Sequence, residues 1–408
     1  MLMRRIVTAV LCAAALPLAL AACGDDGEKE PGFLDVSETP LSLENGTRGL
    51  YVHAMQSQYS NAEVFERDTD FANAVVLHAQ VFSEYEQTQS ASTSAPRFDG
   101  RIEDMYDSSL GDLVRGADTT VFVLDLLRLD RQWLTDWRGL DRDSPDVREQ
   151  VFSFQARADA EGGDYQEDVV EYVLDALSVQ VPTHLVIGAD MEQYYLANPG
   201  DWPYFAAFVR QLRDAVRAEF PDVKIGVGIN WSAFVDEVAP TFLAELERSS
   251  VDFVTVEAAW ETVLDPLYYD MENEATRLDF FAFSSVPDPA TYGDDPNALP
   301  EWHYAGIPTM FDEEPARTLP VAWYSIGWPV TVASPAQPGA FLQRFLNDNG
   351  GYDVDLVAWW GYNHLNEGEC TKMQSDVGAP QNACFRGMYP TIPQLSRENP
   401  LTSPFFGR

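Results

Sequence analysis

The 408-residue sequence is short of positive charge. It has 26 Lys and Arg residues against 65 Asp and Glu residues, and its formal net charge is −39 at pH 7. A chain this acidic repels phosphate groups, which argues against nucleic acid as a partner. We interpret the negative charge as a source of solubility, and recognition of a cationic partner is the alternative.

The sequence also lacks the motifs of common cofactor and metal sites. No Gly-x-Gly-x-x-Gly sequence opens an early helix, and no Gly-x-x-x-x-Gly-Lys phosphate loop is present. The five His residues are scattered, and two Cys with only His364 nearby do not complete a tetrahedral zinc site. We therefore predict neither a cofactor nor a metal.

Cysteine is scarce, and its four positions fit an exported protein. Arg4 and Arg5 precede the apolar run 6–20, which is short for a membrane span and has the form of a secretory signal. The run ends in Leu-Ala-Ala-Cys23, which resembles a bacterial lipobox. This resemblance implies cleavage before Cys23 and a membrane anchor through lipid on its sulfur.

These signals divide the chain into three parts. Residues 1–22 are the predicted signal peptide, residues 23–48 the lipid anchor and flexible acidic tether, and residues 49–408 a single barrel domain. We expect Cys370 and Cys384, close together in a polar loop near the C-terminus, to pair in an oxidising compartment. The predicted location is the bacterial cell envelope, on its periplasmic face or at the cell surface.

One β-α-β unit is the clearest structural signal. The apolar run 184–187 predicts a buried strand, and Asp190 falls near its carboxyl end. An amphipathic helix follows, with Asp201 as a candidate N-cap and apolar residues at helical spacing. The run 223–229 predicts the next strand. Because the connections are short, we expect parallel strands with a right-handed crossover.

The same alternation continues along most of the chain. Residues 251–277 fit either a strand or a helix, and we favour a helix because 278–284 makes a better sixth strand. Eight strands alternating with helices predict an α/β fold of the (β/α)8, or TIM-barrel, type, with a doubly wound sheet as the rival. The other predicted strands are 49–54, 72–80, 118–125, 319–325 and 354–360.

Four segments, in this order, carry a resemblance to a known family. They are the strand that ends at Asp190, the segment 279–287, the segment 320–329 and the pair Trp359-Trp360. Together they resemble retaining glycoside hydrolases of the (β/α)8-barrel clan that includes the endo-β-1,4-galactanases. The resemblance implies an acid/base Glu after an Asn at the end of strand four, and a nucleophile Glu at the end of strand seven.

The chain departs from this pattern where the family's chemistry is carried. Asp190, after Ala189, stands at the acid/base position, Ser325 at the nucleophile position and Ser285 at an aromatic position of strand six. Retaining hydrolysis needs two carboxyl groups about 5–5.5 Å apart. A serine hydroxyl without a nearby His cannot replace the nucleophilic carboxylate, so we predict that Ser325 is inactive.

Several further residues are predicted to contact a sugar. The resemblance implies an aromatic platform on strand eight, although neighbouring residues of a strand face opposite sides and at least one of the two Trp side chains belongs to the core. The predicted substrate-binding residues are Trp359, Trp360, Tyr194, Trp328, Glu192, His78 and Ser285.

Two functions are compatible with these residues. We favour a catalytically degenerate barrel that binds a polysaccharide or oligosaccharide, and a structural envelope protein without a ligand is a variant of this hypothesis. The alternative is an active hydrolase of a β-linked polysaccharide, in which Asp190 acts with a relocated carboxylate such as Glu192, Glu257 or Glu313. A carboxylate pair facing one cleft would support the enzyme.

Overall fold

Eight parallel strands close into a barrel in chain order, and the last strand pairs with the first. This closure confirms the (β/α)8 fold and rules out the doubly wound sheet, which would have two open edges. The strands are β1 Arg48–His53, β2 Ala74–Gln80, β3 Thr119–Asp125, β4 His184–Ile187, β5 Lys224–Asn230, β6 Phe281–Ser285, β7 Val321–Ile326 and β8 Val354–Trp360.

The computed structural model describes just under half of the chain. The described residues are 41, 48–53, 74–81, 117–127, 131, 134–135, 153–155, 165–268, 277–293, 295–308, 319–328 and 337–360. Cys23, Cys370, Cys384 and Glu313 lie outside them, as do the signal peptide and most of the tether. Within these ranges, no helix is both long and apolar enough to cross a membrane.

From the end of β3 onward, helices lie in the described parts of the connections between successive strands. Within 251–277, for which strand and helix were open, residues 253–268 form a helical run with a π-helical turn at its centre. The prediction of a helix is confirmed for these residues. The described α-helices are α1 Tyr165–Val179, α2 Met191–Ala197, α3 Trp202–Glu219, α4 Trp231–Ala233, α5 Phe253–Ala259, α6 Asp265–Tyr268, α7 Pro289–Tyr292, α8 Trp302–Ala305 and α9 Gln337–Asp348.

The β4-α3-β5 unit matches its prediction except at one residue. Helix α3 buries an apolar stripe, which includes Phe205 and Leu212, against the barrel. Asp201 precedes α3, but its side chain does not cap the helix. Its carboxylate instead accepts hydrogen bonds from the Phe154 N–H and from the Tyr194 hydroxyl, at 2.6 and 2.7 Å. These long-range donors outcompete the local cap.

Alternating residues of the strands build two separate apolar layers. Small and β-branched side chains, with Phe280, Tyr324 and Leu356, fill the inside of the barrel. The residues between them, such as Leu185 and Ile187 of β4, face outward and pack against the helices. The interior of the barrel is therefore a packed core, as in other (β/α)8 barrels, and not an open channel.

The residues of β5 that face the barrel centre, Gly226 and Gly228, are glycines because the backbones of the neighbouring segments leave no room for a side chain. A Cβ atom at Gly228 would overlap the Gly188 carbonyl oxygen and lie 3.0 Å from Val186 Cγ1. At Gly226 it would lie 2.8 Å from the Phe280 carbonyl oxygen. The glycines of β5 thus let the end of β4, and the turn that carries Asp190, approach β5 closely.

Replacing Gly228 with Ala should destabilise the protein by about 1–3 kcal/mol, because the added methyl group forces the backbone of β4 and β5 apart. Urea denaturation measures this change in the free energy of unfolding. Gly200→Ala is the matched control, since a Cβ atom there meets nothing within 4 Å; its stability should stay within about 0.5 kcal/mol of the wild type. Equal stability of the two variants would contradict the close approach.

Candidate functional site

Polar side chains gather at the carboxyl ends of the strands, at the end of the barrel where (β/α)8 enzymes build their sites. His78 lies on β2, Asp125 ends β3, and Asp190 follows β4. Ser284 lies on β6 and Ser325 on β7. We call this group, together with Arg131 and Glu192, the barrel mouth.

Arg131 joins two sides of the barrel mouth. One of its guanidinium nitrogens lies 2.5 Å from Asp125 Oδ2. The other donates to the Ala189 carbonyl oxygen and lies 3.2 Å from Asp190 Oδ2. Arg131 therefore fixes the turn after β4 to the end of β3.

Asp125 is the buried partner that receives most of these contacts. Its Oδ2 also lies 3.0 Å from His78 Nε2, and its Oδ1 accepts the Leu127 N–H. Burial by itself would raise the pKa of Asp125, but the charge of Arg131 and the hydrogen bond from His78 outweigh it and lower the pKa to about 2. Asp125 is thus a fixed negative charge beneath Arg131.

Asp190 owes its position to an unusual turn. Gly188 has a φ of 71° and Asp190 a φ of 49°, so the chain enters the left-handed region twice within three residues. Aspartate tolerates this region better than most residues do, and Gly188 has no Cβ to oppose it. The turn leaves the Asp190 side chain 33 % exposed, with Ser284 Oγ donating to its Oδ1 at 3.3 Å.

Glu192, two residues further on, is fully buried. Its Oε2 accepts the Asn230 N–H at 2.8 Å, at the end of β5, and its Oε1 has no hydrogen-bond partner among the described residues. Burial and the negative charge of Asp190 raise the pKa of Glu192 well above its usual range. Asp190 and Glu192 are therefore neighbouring carboxyl groups with different environments.

The strand-six prediction chose the wrong one of two adjacent serines. Ser285 faces the helices, fully buried, and its hydroxyl bonds to those of Ser232 and Tyr304. Ser284 faces the barrel mouth instead, because β6 alternates from Phe280 and Ala282, which lie inside the barrel.

Ser325 lies opposite Ser284, beyond an irregularity in the pairing of β6 and β7. It is 3 % exposed. Thus β7 brings a hydroxyl group, and no carboxylate, to the position where the family resemblance implies the nucleophile.

Three predicted sugar-contacting aromatics lie in the core. Trp359 and Trp328 are buried and pack on Phe341 of α9. Tyr194 is buried against Phe154. Burial between barrel and helices leaves no ring face for a sugar, so these three residues do not form the predicted platform. The side chain of Trp360 lies outside the described residues, and its role stays a prediction.

Sequence reasoning missed Asp125 and Arg131 as parts of the site. An acidic residue at the end of a predicted strand could have pointed to Asp125. Arg131 lies in a charged segment without any periodic pattern, and nothing local marks it. Among the described residues, no three His, Cys, Asp or Glu side chains gather into a group that could hold a metal ion.

No protein-family model and no curated protein matches the sequence. Solved structures do match it. A GH5_18 protein from Streptomyces cattleya, in complex with GlcNAc, has a TM-score of 0.55 at 14% identity and covers 89% of this chain and 79% of its own. The GH53 catalytic domain of Ignisphaera aggregans has a TM-score of 0.52 at 11% identity, with 92% and 98% coverage.

The barrel is similar to those of glycoside hydrolases. An exo-β-1,4-mannosidase from Opitutaceae bacterium strain TAV5 also matches, with a TM-score of 0.52 at 13% identity over 88% of this chain. This chain spans 58% of the length of that mannosidase. At such low identity the likeness supports the resemblance to the barrel clan at the level of the fold alone.

A second titratable contact joins the segments that follow β5 and β6. The Tyr292 hydroxyl donates to Asp236 Oδ1. Burial raises the pKa of Asp236 to about 6, against the opposing effect of this hydrogen bond, and the charges of Glu237 and Asp288 add to the rise. A carboxyl group whose pKa is raised on folding stabilises the fold at low pH, and this contribution is lost as the pH rises through about 6.

Asp236→Asn should therefore stabilise the protein at pH 7.5 and have little effect at pH 4. The expected gain is about 1 kcal/mol, because partial exposure of Asp236 reduces the full effect of the shift. Urea denaturation at the two pH values measures the free energy of unfolding. Asp222→Asn, at an exposed carboxylate, should show no such difference; a larger gain for Asp236→Asn at pH 4 would contradict the assignment.

Proposed function

We propose that this protein is a lipid-anchored, glycoside-hydrolase-like barrel that binds a glycan at its mouth without cleaving it. The observation that carries the proposal is the pairing of Ser284 with Ser325. This pairing leaves a hydroxyl group at the end of β7, where a retaining hydrolase needs its nucleophilic carboxylate. The segment 319–328 contains neither Asp nor Glu, so no neighbour in β7 can take over the role.

The contacts of Asp190 argue in the same direction. An acid/base residue must present a carboxyl oxygen to the leaving group. At Asp190, Arg131 approaches one oxygen and Ser284 donates to the other. These two contacts hold the Asp190 carboxylate in one orientation, where its remaining acceptor positions can bind hydroxyl groups of a ligand.

A polar mouth of this kind has what a glycan-binding site requires. Sugar hydroxyl groups donate and accept hydrogen bonds. The barrel mouth offers a guanidinium group, an imidazole, carboxyl groups and hydroxyl groups on five different strands or the segments that follow them. The glycoside-hydrolase neighbours share the fold that places these groups together.

Active hydrolysis remains the second candidate, because of one observation. Asp190 is partly exposed, whereas Glu192 is buried and burial raises its pKa. Glycosidases use two carboxyl groups in different environments of this kind as general acid and general base. An inverting enzyme could use a protonated Glu192 as the acid and Asp190 as the base. The complete burial of Glu192 and its bond to Asn230 speak against direct contact with a substrate.

The binding proposal is tested by incubating the mature chain, purified in detergent, with a panel of plant and microbial polysaccharides. Binding and the release of reducing ends are followed in parallel. We expect binding without release, because β7 supplies no nucleophile. Asp190→Asn should weaken binding about tenfold, the loss expected for one hydrogen bond to a charged group.

Two comparisons make this experiment decisive. Asp222→Asn changes an exposed carboxylate ahead of β5, at the opposite end of the barrel, and should bind as the wild type does. Release of reducing ends that Asp190→Asn or Glu192→Gln abolishes would favour the hydrolase. A panel in which nothing binds would count against any role in glycan recognition.

The proposed lipid anchor is based on the lipobox-like sequence at residues 20–23, and a separate experiment tests it. In a bacterial host, the wild-type chain should incorporate a labelled fatty acid and sediment with membranes. Cys23→Ala should remove both properties, because it removes the sulfur that would carry the lipid. Membrane association that survives this substitution would contradict the anchor.

A further inference from the structure

The barrel mouth carries more carboxyl groups than cations, and this imbalance bears on the class of glycan it takes. Asp125, Asp190 and Glu192 surround a single guanidinium group, that of Arg131, whose closest contacts are Asp125 and the Ala189 carbonyl oxygen. Arg131 thus balances Asp125 and reaches Asp190 only at 3.2 Å. Among the described residues of the mouth, carboxyl groups therefore outnumber guanidinium groups, and the Asp190 carboxyl group lies on the exposed side.

Asp190 has room for another donor. A carboxylate can accept about four hydrogen bonds. Among the described residues, Asp190 Oδ1 accepts one long bond of 3.3 Å from Ser284, and Oδ2 faces Arg131. Since the side chain is 33 % exposed, a ligand can approach the acceptor positions that remain.

Glu192 supplies a second and independent sign of a missing donor. It is fully buried, and its Oε1 has no partner within the described part of the chain. A buried acceptor without a partner is costly, and such groups mark places where a ligand or water completes the site. Glu192 lies in the first turn of α2, two residues after Asp190, and its bond to the Asn230 N–H holds it against the end of β5.

Resting on the proposed function, we propose that the barrel mouth binds the primary ammonium group of an amino-sugar glycan, with Asp190 as its direct partner. An ammonium group has three donors and a positive charge, and the partly exposed Asp190 carboxylate has acceptor positions for such donors. The net charge of −39 would also speed the approach of a cationic chain and does nothing for a neutral one.

The test compares two ligands that differ only in this group. Glucosamine oligomers and N-acetylglucosamine oligomers of equal length have the same backbone, but only the first carry ammonium groups. Isothermal titration of the mature chain at pH 6 and moderate salt gives both dissociation constants. We expect the glucosamine oligomers to bind at least about tenfold more tightly, the effect of one charge-assisted hydrogen bond.

Asp190→Asn should remove this preference, because the amide carries no charge. Asparagine also tolerates a positive φ, so the turn should keep its shape, and thermal melting checks the fold. Glu192→Gln is the second variant and should reduce the preference while keeping an acceptor for the Asn230 N–H. Asp222→Asn removes one negative charge away from the mouth and is the control for long-range attraction by the net charge. It should keep the preference for glucosamine oligomers unchanged.

The outcomes separate this inference from the proposed function. If both oligomers, or other neutral glycans, bind equally well through Asp190, glycan binding stands and the ammonium site is wrong. If the glucosamine oligomers bind Asp190→Asn as tightly as they bind the wild type, the attraction comes from the net charge and the site is also wrong. If no glycan of either kind binds, both proposals fail together.

Discussion

The bridge that Arg131 makes between Asp125 and the turn after β4 is the interaction on which the barrel mouth depends. Asp125 is buried, and without Arg131 its carboxylate would lose this ion pair and keep the contacts with His78 and the Leu127 N–H. Removing one partner of a buried pair commonly costs about 3–5 kcal/mol, so the bridge holds the end of β3 in place. The second guanidinium nitrogen of Arg131 contacts the Ala189 carbonyl oxygen and Asp190 Oδ2, and these contacts fix the orientation of the Asp190 side chain.

The fold and the chemistry of this molecule rest on different residues. Stability comes from the two apolar layers of the strands, whereas a reaction would require carboxyl groups at the strand ends. A barrel can therefore lose its nucleophile without losing its shape. We propose that this has happened here, with the hydroxyl group of Ser325 in that place and with Asp190, Ser284 and Arg131 forming a polar mouth that suits a ligand. Under this proposal, the protein binds a glycan on a framework similar to that of glycoside hydrolases.

Sequence patterns predicted the barrel well, because strands such as β3, β4, β6 and β7 are short apolar runs that are almost fully buried on both faces. They predicted the site less well. Asp190 was found because it directly follows such a run, but Ser285 was chosen over Ser284, and a shift by one residue reverses the face of a strand. Arg131 escaped notice because its partners are distant in the sequence. Trp328 illustrates a third limit, since an aromatic residue near a strand end fits the core as readily as a binding site.

The central claim is that the barrel mouth holds a glycan and leaves it intact. A crystal structure of the mature chain soaked with an oligosaccharide that binds it tests this claim most directly. Our account predicts an uncleaved oligosaccharide at the carboxyl ends of the strands, in contact with Asp190 and with no covalent bond to Ser325. A cleaved product at the mouth, or an oligosaccharide bound only elsewhere on the surface, would contradict it.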